Sequence, residues 1–104
     1  MIAIRRGTTP LITIELPEEF DVESITTVWI YISQNEEVVI DKVTEDVEIA
    51  ENTLSVALTQ EETLSLEAGL AILQCRLLND EDVAFASQAS SVRVLDVKKG
   101  GVIE

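Results

Sequence analysis

The chain has no histidine, and that absence removes a large share of enzyme chemistry. Ser-His-Asp and Cys-His nucleophile activation both need an imidazole base, and so do the common zinc sites. Cysteine is nearly absent too. Cys75 stands alone, so no disulfide can close within the chain, and neither a histidine nor a C-x-x-C partner is present to activate its thiol. It reads as a small apolar core residue in a strand. A lone cysteine leaves the redox compartment open, with a lean to the cytosol. The four glycines, Gly7, Gly69, Gly100 and Gly101, form neither G-x-G-x-x-G nor a P-loop, so no phosphate cradle is expected. Aromatics are limited to Phe20, Trp29, Tyr31 and Phe85, which leaves the core to be built from isoleucine, valine and leucine. No apolar run approaches the ~18 residues of a membrane span. The start, Met1-Ile2-Ala3-Ile4, meets Arg5-Arg6 before an apolar leader core can form, so no secretory leader and a cytosolic protein are expected.

Positive charge is also scarce. Seven basic residues face 20 acidic ones, a formal net charge of −13. A field of that sign repels nucleic acid and anionic membranes, and the basic residues are scattered rather than clustered. The acidity serves solubility, or attraction to a basic partner surface. With 104 residues the chain holds one core, large enough to fold without disulfides or metals.

Apolar residues with a period of two recur along the chain, the mark of half-buried strands. In residues 10–16, Ile12, Ile14 and Leu16 share a face, and Pro17-Glu18-Glu19 ends the strand. In residues 25–33, Val28, Ile30 and Ile32 lie opposite Thr27, Trp29 and Tyr31. Gln34-Asn35-Glu36 reads as a turn into a partner strand over residues 38–43, and a short strand follows near Val47 and Ile49. After the turn signal Glu51-Asn52, Leu54, Val56 and Leu58 alternate with Ser55, Ala57 and Thr59. Thr59-Gln60-Glu61-Glu62 has the form of a capping box and predicts a single helical turn near residues 59–66, crossing between sheets and stopped by Gly69. In residues 70–78 the set Ala71, Leu73, Cys75 and Leu77 is the more apolar and is assigned to the core. Asn79-Asp80-Glu81-Asp82 predicts a hairpin loop. Residues 83–97 return as a long strand, softened over residues 87–91 by a bulge or by a switch between sheets. Residues 1–6 are strand-like as well, suited to completing the domain or to pairing with a neighbouring chain.

About seven strands with turn signals between them predict an all-β, immunoglobulin-like antiparallel β-sandwich. It occupies residues 1–97 as a single domain, and residues 98–104 form a loose C-terminal tail. The Cys…Trp…Cys pattern of antibody domains is absent, since only Cys75 exists.

The remaining candidates for chemistry are carboxylate clusters at Glu18-Glu19, Glu36-Glu37, Glu45-Asp46, Glu61-Glu62 and Asp80-Glu81-Asp82. A glycosidase needs two carboxyls across a cleft, and adjacent strand residues point to opposite faces. These clusters therefore read as solvated turns. Asp80, Glu81 and Asp82 offer oxygen ligands but lack the D-x-D-x-D-G calcium loop. No catalytic, cofactor-binding or metal-binding residue is assigned, and no cofactor is expected. Trp29 and Tyr31 are the one candidate contact. Either both faces of their strand are covered, or these rings meet a partner or subunit.

Four strings occur in order: Arg5-Arg6-Gly7-Thr8-Thr9-Pro10, Leu58-Thr59-Gln60-Glu61-Glu62-Thr63-Leu64, Gln74-Cys75-Arg76 and Ala86-Ser87. Together they resemble small phage and prophage proteins of Gram-positive gut bacteria. They are also distantly similar to the immunoglobulin-like N-terminal domain of phage baseplate upper proteins. The resemblance runs from Arg5 to about Val97. It implies a non-enzymatic structural or assembly component of a head, neck or baseplate, held in the bacterial cytoplasm before assembly and in the virion afterwards. Its partners would be other phage structural proteins or further copies of itself, with no nucleic acid and no membrane. It carries over no functional residue. The alternative reading is a carbohydrate or host-surface binding module.

Overall fold

The computed structural model describes residues 2–18, 20–87 and 89–104. Met1, at the start of the first expected strand, Glu19, in the expected break after residue 16, and Gln88, in the softened run, lie outside them.

The alternating segments form strands, and the strands form two packed sheets. Among the described residues there are nine: β1 (Ile2–Arg5), β2 (Leu11–Glu15), β3 (Ile25–Gln34), β4 (Glu37–Lys42), β5 (Val47–Ala50), β6 (Thr53–Ala57), β7 (Gly69–Asn79), β8 (Ala84–Ala86) and β9 (Ser90–Leu95). One short helix, α1 (Gln60–Leu64), joins β6 to β7, and 3₁₀ turns at Val22–Ser24 and Thr44–Asp46 lead into β3 and β5. The large sheet has the order β1-β9-β7-β3-β4, with β8 also paired to β7, and the small sheet has the order β2-β6-β5. β1 runs parallel to β9 and every other pair is antiparallel. From β2 to β9 the chain threads the sheets as strands B, C, C′, D, E, F and G of an immunoglobulin sandwich do.

The count exceeds the expected seven partly because residues 83–97 do not form one strand. β8 faces Arg76–Leu78 and β9 faces Gly69–Leu73, both on the same side of β7. The strand therefore stays in its sheet, and the sheet-switching alternative does not hold. At the break, the Ser87 amide donates to the Cys75 carbonyl (2.9 Å) and the Ser87 hydroxyl accepts from the Cys75 amide (3.0 Å). A side chain thus stands in for one ladder acceptor.

The core is aliphatic, as composition requires. Val28, Ile30 and Ile32 of β3 and Ala71, Leu73, Cys75 and Leu77 of β7 face Ile12, Leu54 and Val56 of the small sheet, with Leu58 and Leu66 at the helical end. Each fully buried aliphatic side chain contributes about 1.5–3 kcal/mol over its exposed state. The N-terminal segment completes the domain through β1: Ile4 is buried, and Ile2↔Val92 through Arg5↔Leu95 are in register.

α1 closes one end of the sandwich. The Thr59 hydroxyl accepts from the Glu62 amide (3.1 Å) and Glu62 Oε1 accepts from the Thr59 amide (2.9 Å), the capping box expected from sequence. Lys42 reaches Glu62 from β4 at 2.8 Å. The fully buried Thr63 hydroxyl accepts from the Gly7 amide (3.0 Å) and donates to the Thr8 carbonyl (2.8 Å), pinning the β1–β2 turn to the helix. Gly7 takes φ +79°, a left-handed conformation that a β-carbon disfavours. The expected loose tail is tied down at Ile103, whose amide and carbonyl both bond the Gln60 side chain (2.7 and 3.1 Å). That contact joins positions far apart in sequence, and neither residue announces it.

Candidate functional site

The strand registers fix what each outer face presents, because residues directly opposite one another share a face. On the small sheet the rows are Leu11–Ala57, Thr13–Ser55–Glu48 and Glu15–Thr53–Ala50, which are mostly small, polar or acidic apart from the exposed Leu11 at one end. On the large sheet they are Thr27–Leu78–Ala84, Trp29–Arg76–Ala86, Asp41–Tyr31–Gln74, Val38–Ser33–Ile72–Ser91 and Leu70–Arg93–Ala3. Large apolar side chains are exposed throughout these rows: Leu70 (68%), Val38 (57%), Trp29 (46%) and Ile72 (40%). Trp29 and Tyr31 thus lie on the solvent side of β3, opposite the buried set Val28, Ile30 and Ile32, and neither α1 nor the small sheet covers that side.

The two rings are held in place. The Arg76 guanidinium carbon sits 5.3 Å from the Trp29 ring centroid, within the range of a cation–π contact. The Tyr31 hydroxyl donates to Gln74 Oε1 (3.1 Å), and Gln74 Nε2 donates to the Ser87 carbonyl (2.9 Å), which runs a hydrogen-bonded chain from β3 across β7. Trp29 stands between two shallow depressions. One, of about 350 Å³, is lined by Tyr31, Val38, Asp41 and Arg76, and the other, of about 180 Å³, by Thr27, Leu78 and Ala84 with Arg76.

Charge on this face runs against the rest of the molecule. Arg76, Arg93 and Arg5 fall on it, and Asp41 is the one carboxylate in its registered rows. The chain as a whole carries a net charge of −13. Arginine with tryptophan and tyrosine, amid exposed aliphatics, is the composition that dominates binding energy at protein interfaces. The sequence singled out Trp29 and Tyr31. It did not single out Arg76, Arg93, Leu70, Ile72 and Val38, whose convergence depends on strand order, although the period-two alternation already assigned Leu70, Ile72 and Arg76 to the face opposite the core.

No family model matches the chain, and no curated protein matches it. Function is therefore argued from the surface itself.

Among the described residues no group of three or more histidine, cysteine or acidic side chains gathers to hold a metal. In the Asn79–Asp82 loop the Asn79 side chain accepts from the Glu81 and Val83 amides (2.9 Å each), so a side-chain amide organises that turn. Cys75 is buried in the core. Burial works to raise the Glu62 carboxyl, but the bonds from Lys42 and Thr59 outweigh it and hold the group below its ordinary value. Arg6, at 2.7 Å, and the Val97 amide hold the Asp96 carboxyl below its ordinary value. Both groups tie elements together at the helical end, away from the Trp29 face. No described helix is long and apolar enough to cross a membrane.

Proposed function

We propose that this protein is a non-enzymatic structural or assembly component of a phage or prophage particle, and that it docks through the outer face of its large sheet. The supporting observation is the arginine-bearing, aromatic and aliphatic face built around Trp29, set on an otherwise acidic molecule. The placement in a phage particle rests on the sequence resemblance. Two copies meeting face to face would set Arg5, Arg76 and Arg93 against the same arginines, so the face suits a different surface, one with acidic residues around apolar ones. The test is affinity capture with the full chain from cells after prophage induction, read by mass spectrometry, beside the variant Trp29→Ala/Arg76→Glu. Recovery of portal, tail or baseplate-like proteins by the wild type, lost in the variant, is the expected result. Equal recovery by both places the interface elsewhere.

A carbohydrate or host-surface module is the second reading. The depression shared by Trp29, Tyr31, Asp41 and Arg76 favours it, because a ring platform beside an acid and a guanidinium suits a sugar. Glycan-array binding that disappears in Trp29→Ala would put this reading first.

A further inference from the structure

A second surface, distinct from the Trp29 face and independent of the reading above, lies where the two sheets part. β2 ends the small sheet and, among the described residues, pairs only with β6. The bonds from the Leu58 amide to the Pro10 carbonyl (3.0 Å) and from the Leu16 amide to the Asn52 carbonyl (2.7 Å) fix the phase of that ladder: even-numbered residues bond inward to β6. In an antiparallel pair the intervening residues then aim their backbone groups the other way. Leu11, Thr13 and Glu15 therefore turn N–H and C=O groups outward along the edge.

Beside that edge a cleft reaches in toward the inner face of the large sheet. It measures about 530 Å³ and runs between Ile14 and Leu16 on one side and Leu73, Cys75 and Leu77 on the other. Phe85, 40% exposed, stands at its mouth with its ring edge-on to Phe20 (centroids 5.0 Å apart, 74°). In an immunoglobulin sandwich the sheet of strands B, E and D carries a further strand, A, next to B. Here the small sheet is β2-β6-β5, and the position next to β2 is the cleft.

We infer that this edge accepts an extended segment of a partner protein as an added strand beside β2. The row of outward backbone groups demands a strand, since only an extended chain matches it. The cleft demands apolar side chains at alternate positions, as one face of that strand would point inward. The flanks are acidic, with Glu15 and Glu18 on the β2 side and Asp21 and Glu23 beyond Phe20, so the segment carries lysine or arginine on its outward side or at its ends. That charge preference separates this occupant from a second copy of a −13 chain.

The test uses the full chain, isotope-labelled for NMR, with a short peptide alternating valine and threonine between terminal lysines. With the peptide at about ten times its dissociation constant, hydrogen exchange at Leu11, Thr13 and Glu15 is expected to slow about tenfold. Resonances of Leu73, Leu77 and Phe85 should shift while those of Trp29 and Ile72 stay put. Replacing the lysines by glutamates should weaken binding at low salt. Thr13→Pro, which removes an outward N–H without touching the β6 ladder, should abolish the protection. If that variant does not fold, Phe85→Ser serves instead and should weaken the peptide's affinity. Perturbation of the Trp29 face, of another sheet edge or of nothing would overturn the inference. So would protection that appears without peptide and rises with protein concentration, which would assign the edge to a second copy. Failure of the peptide at β2 leaves the reading of the Trp29 face standing, which its own variants test.

Discussion

Thr63 carries more of this fold than its chemistry suggests. Its buried hydroxyl serves the Gly7 amide and the Thr8 carbonyl at once. Thr63→Val keeps the shape and strands both backbone groups, and urea unfolding should show a loss of about 1–3 kcal/mol. Glu62 links the helix cap to Lys42, and the sign of its pH effect follows from its lowered pKa. A carboxyl held below its unfolded value contributes stability above the ordinary glutamate range, and that contribution is lost as pH falls through the folded value. Glu62→Gln should therefore be less stable than the wild type at neutral pH, and the two unfolding midpoints should converge on acidification. A gap that persists in acid would show that the lost contact is not electrostatic. At the proposed docking face, Trp29→Ala removes a half-buried ring and its cation–π contact; it should cost about 1–2 kcal/mol of stability and weaken partner binding by about 2 kcal/mol, thirtyfold.

The β3–β4 hairpin shows how an element can be legible while its strain is not. Alternation located both strands, and Gln34-Asn35-Glu36 announced the turn. Asn35 and Glu36 both take positive φ, +52° and +68°, the pattern of the turns that match strand twist. Asparagine tolerates that conformation, whereas glutamate does not favour it. Glu36→Gly should stabilise the hairpin by about 0.5–1 kcal/mol, measured as a raised unfolding midpoint. The helix cap was equally legible, because a capping box is a local pattern written within four residues. What alternation could not supply was long-range pairing. Nothing in the run around Ser87 distinguishes a break from a switch of sheets, since the decision lies in the two bonds between Ser87 and the Cys75 backbone, one of them made by the Ser87 hydroxyl. Gln34 looks like a turn residue, yet its side chain is buried, donating to the Glu67 carbonyl (2.6 Å) and accepting from its amide (2.8 Å). The face opposite the core could be assigned strand by strand, but the meeting of Trp29 with Arg76 and of Leu70 with Arg93 depends on sheet order.

For the molecule as a whole, charge sets the terms. A net −13 on 104 residues repels itself, and added salt screens that repulsion. The melting temperature should rise as ionic strength goes from about 0.01 M to about 0.15 M, over which the screening length falls from about 30 Å to about 8 Å. Docking by the arginine-bearing face should move the opposite way, weakening as salt rises, if the partner is acidic. A solubilising body and an acid-poor, apolar face are compatible demands, because the two sheets turn opposite sides to solvent and the small sheet's outer rows are mostly polar, with Leu11 as the exception.

The most direct measurement is cross-linking mass spectrometry on particles assembled in cells after prophage induction, with this chain at its natural abundance. The account predicts carboxylate-directed cross-links that join the large-sheet face, at Asp41 of β4, to an acidic surface of another particle protein, and their loss in Trp29→Ala/Arg76→Glu. Particles that assemble without this chain, or cross-links that emerge only from the small sheet's outer face, would contradict it.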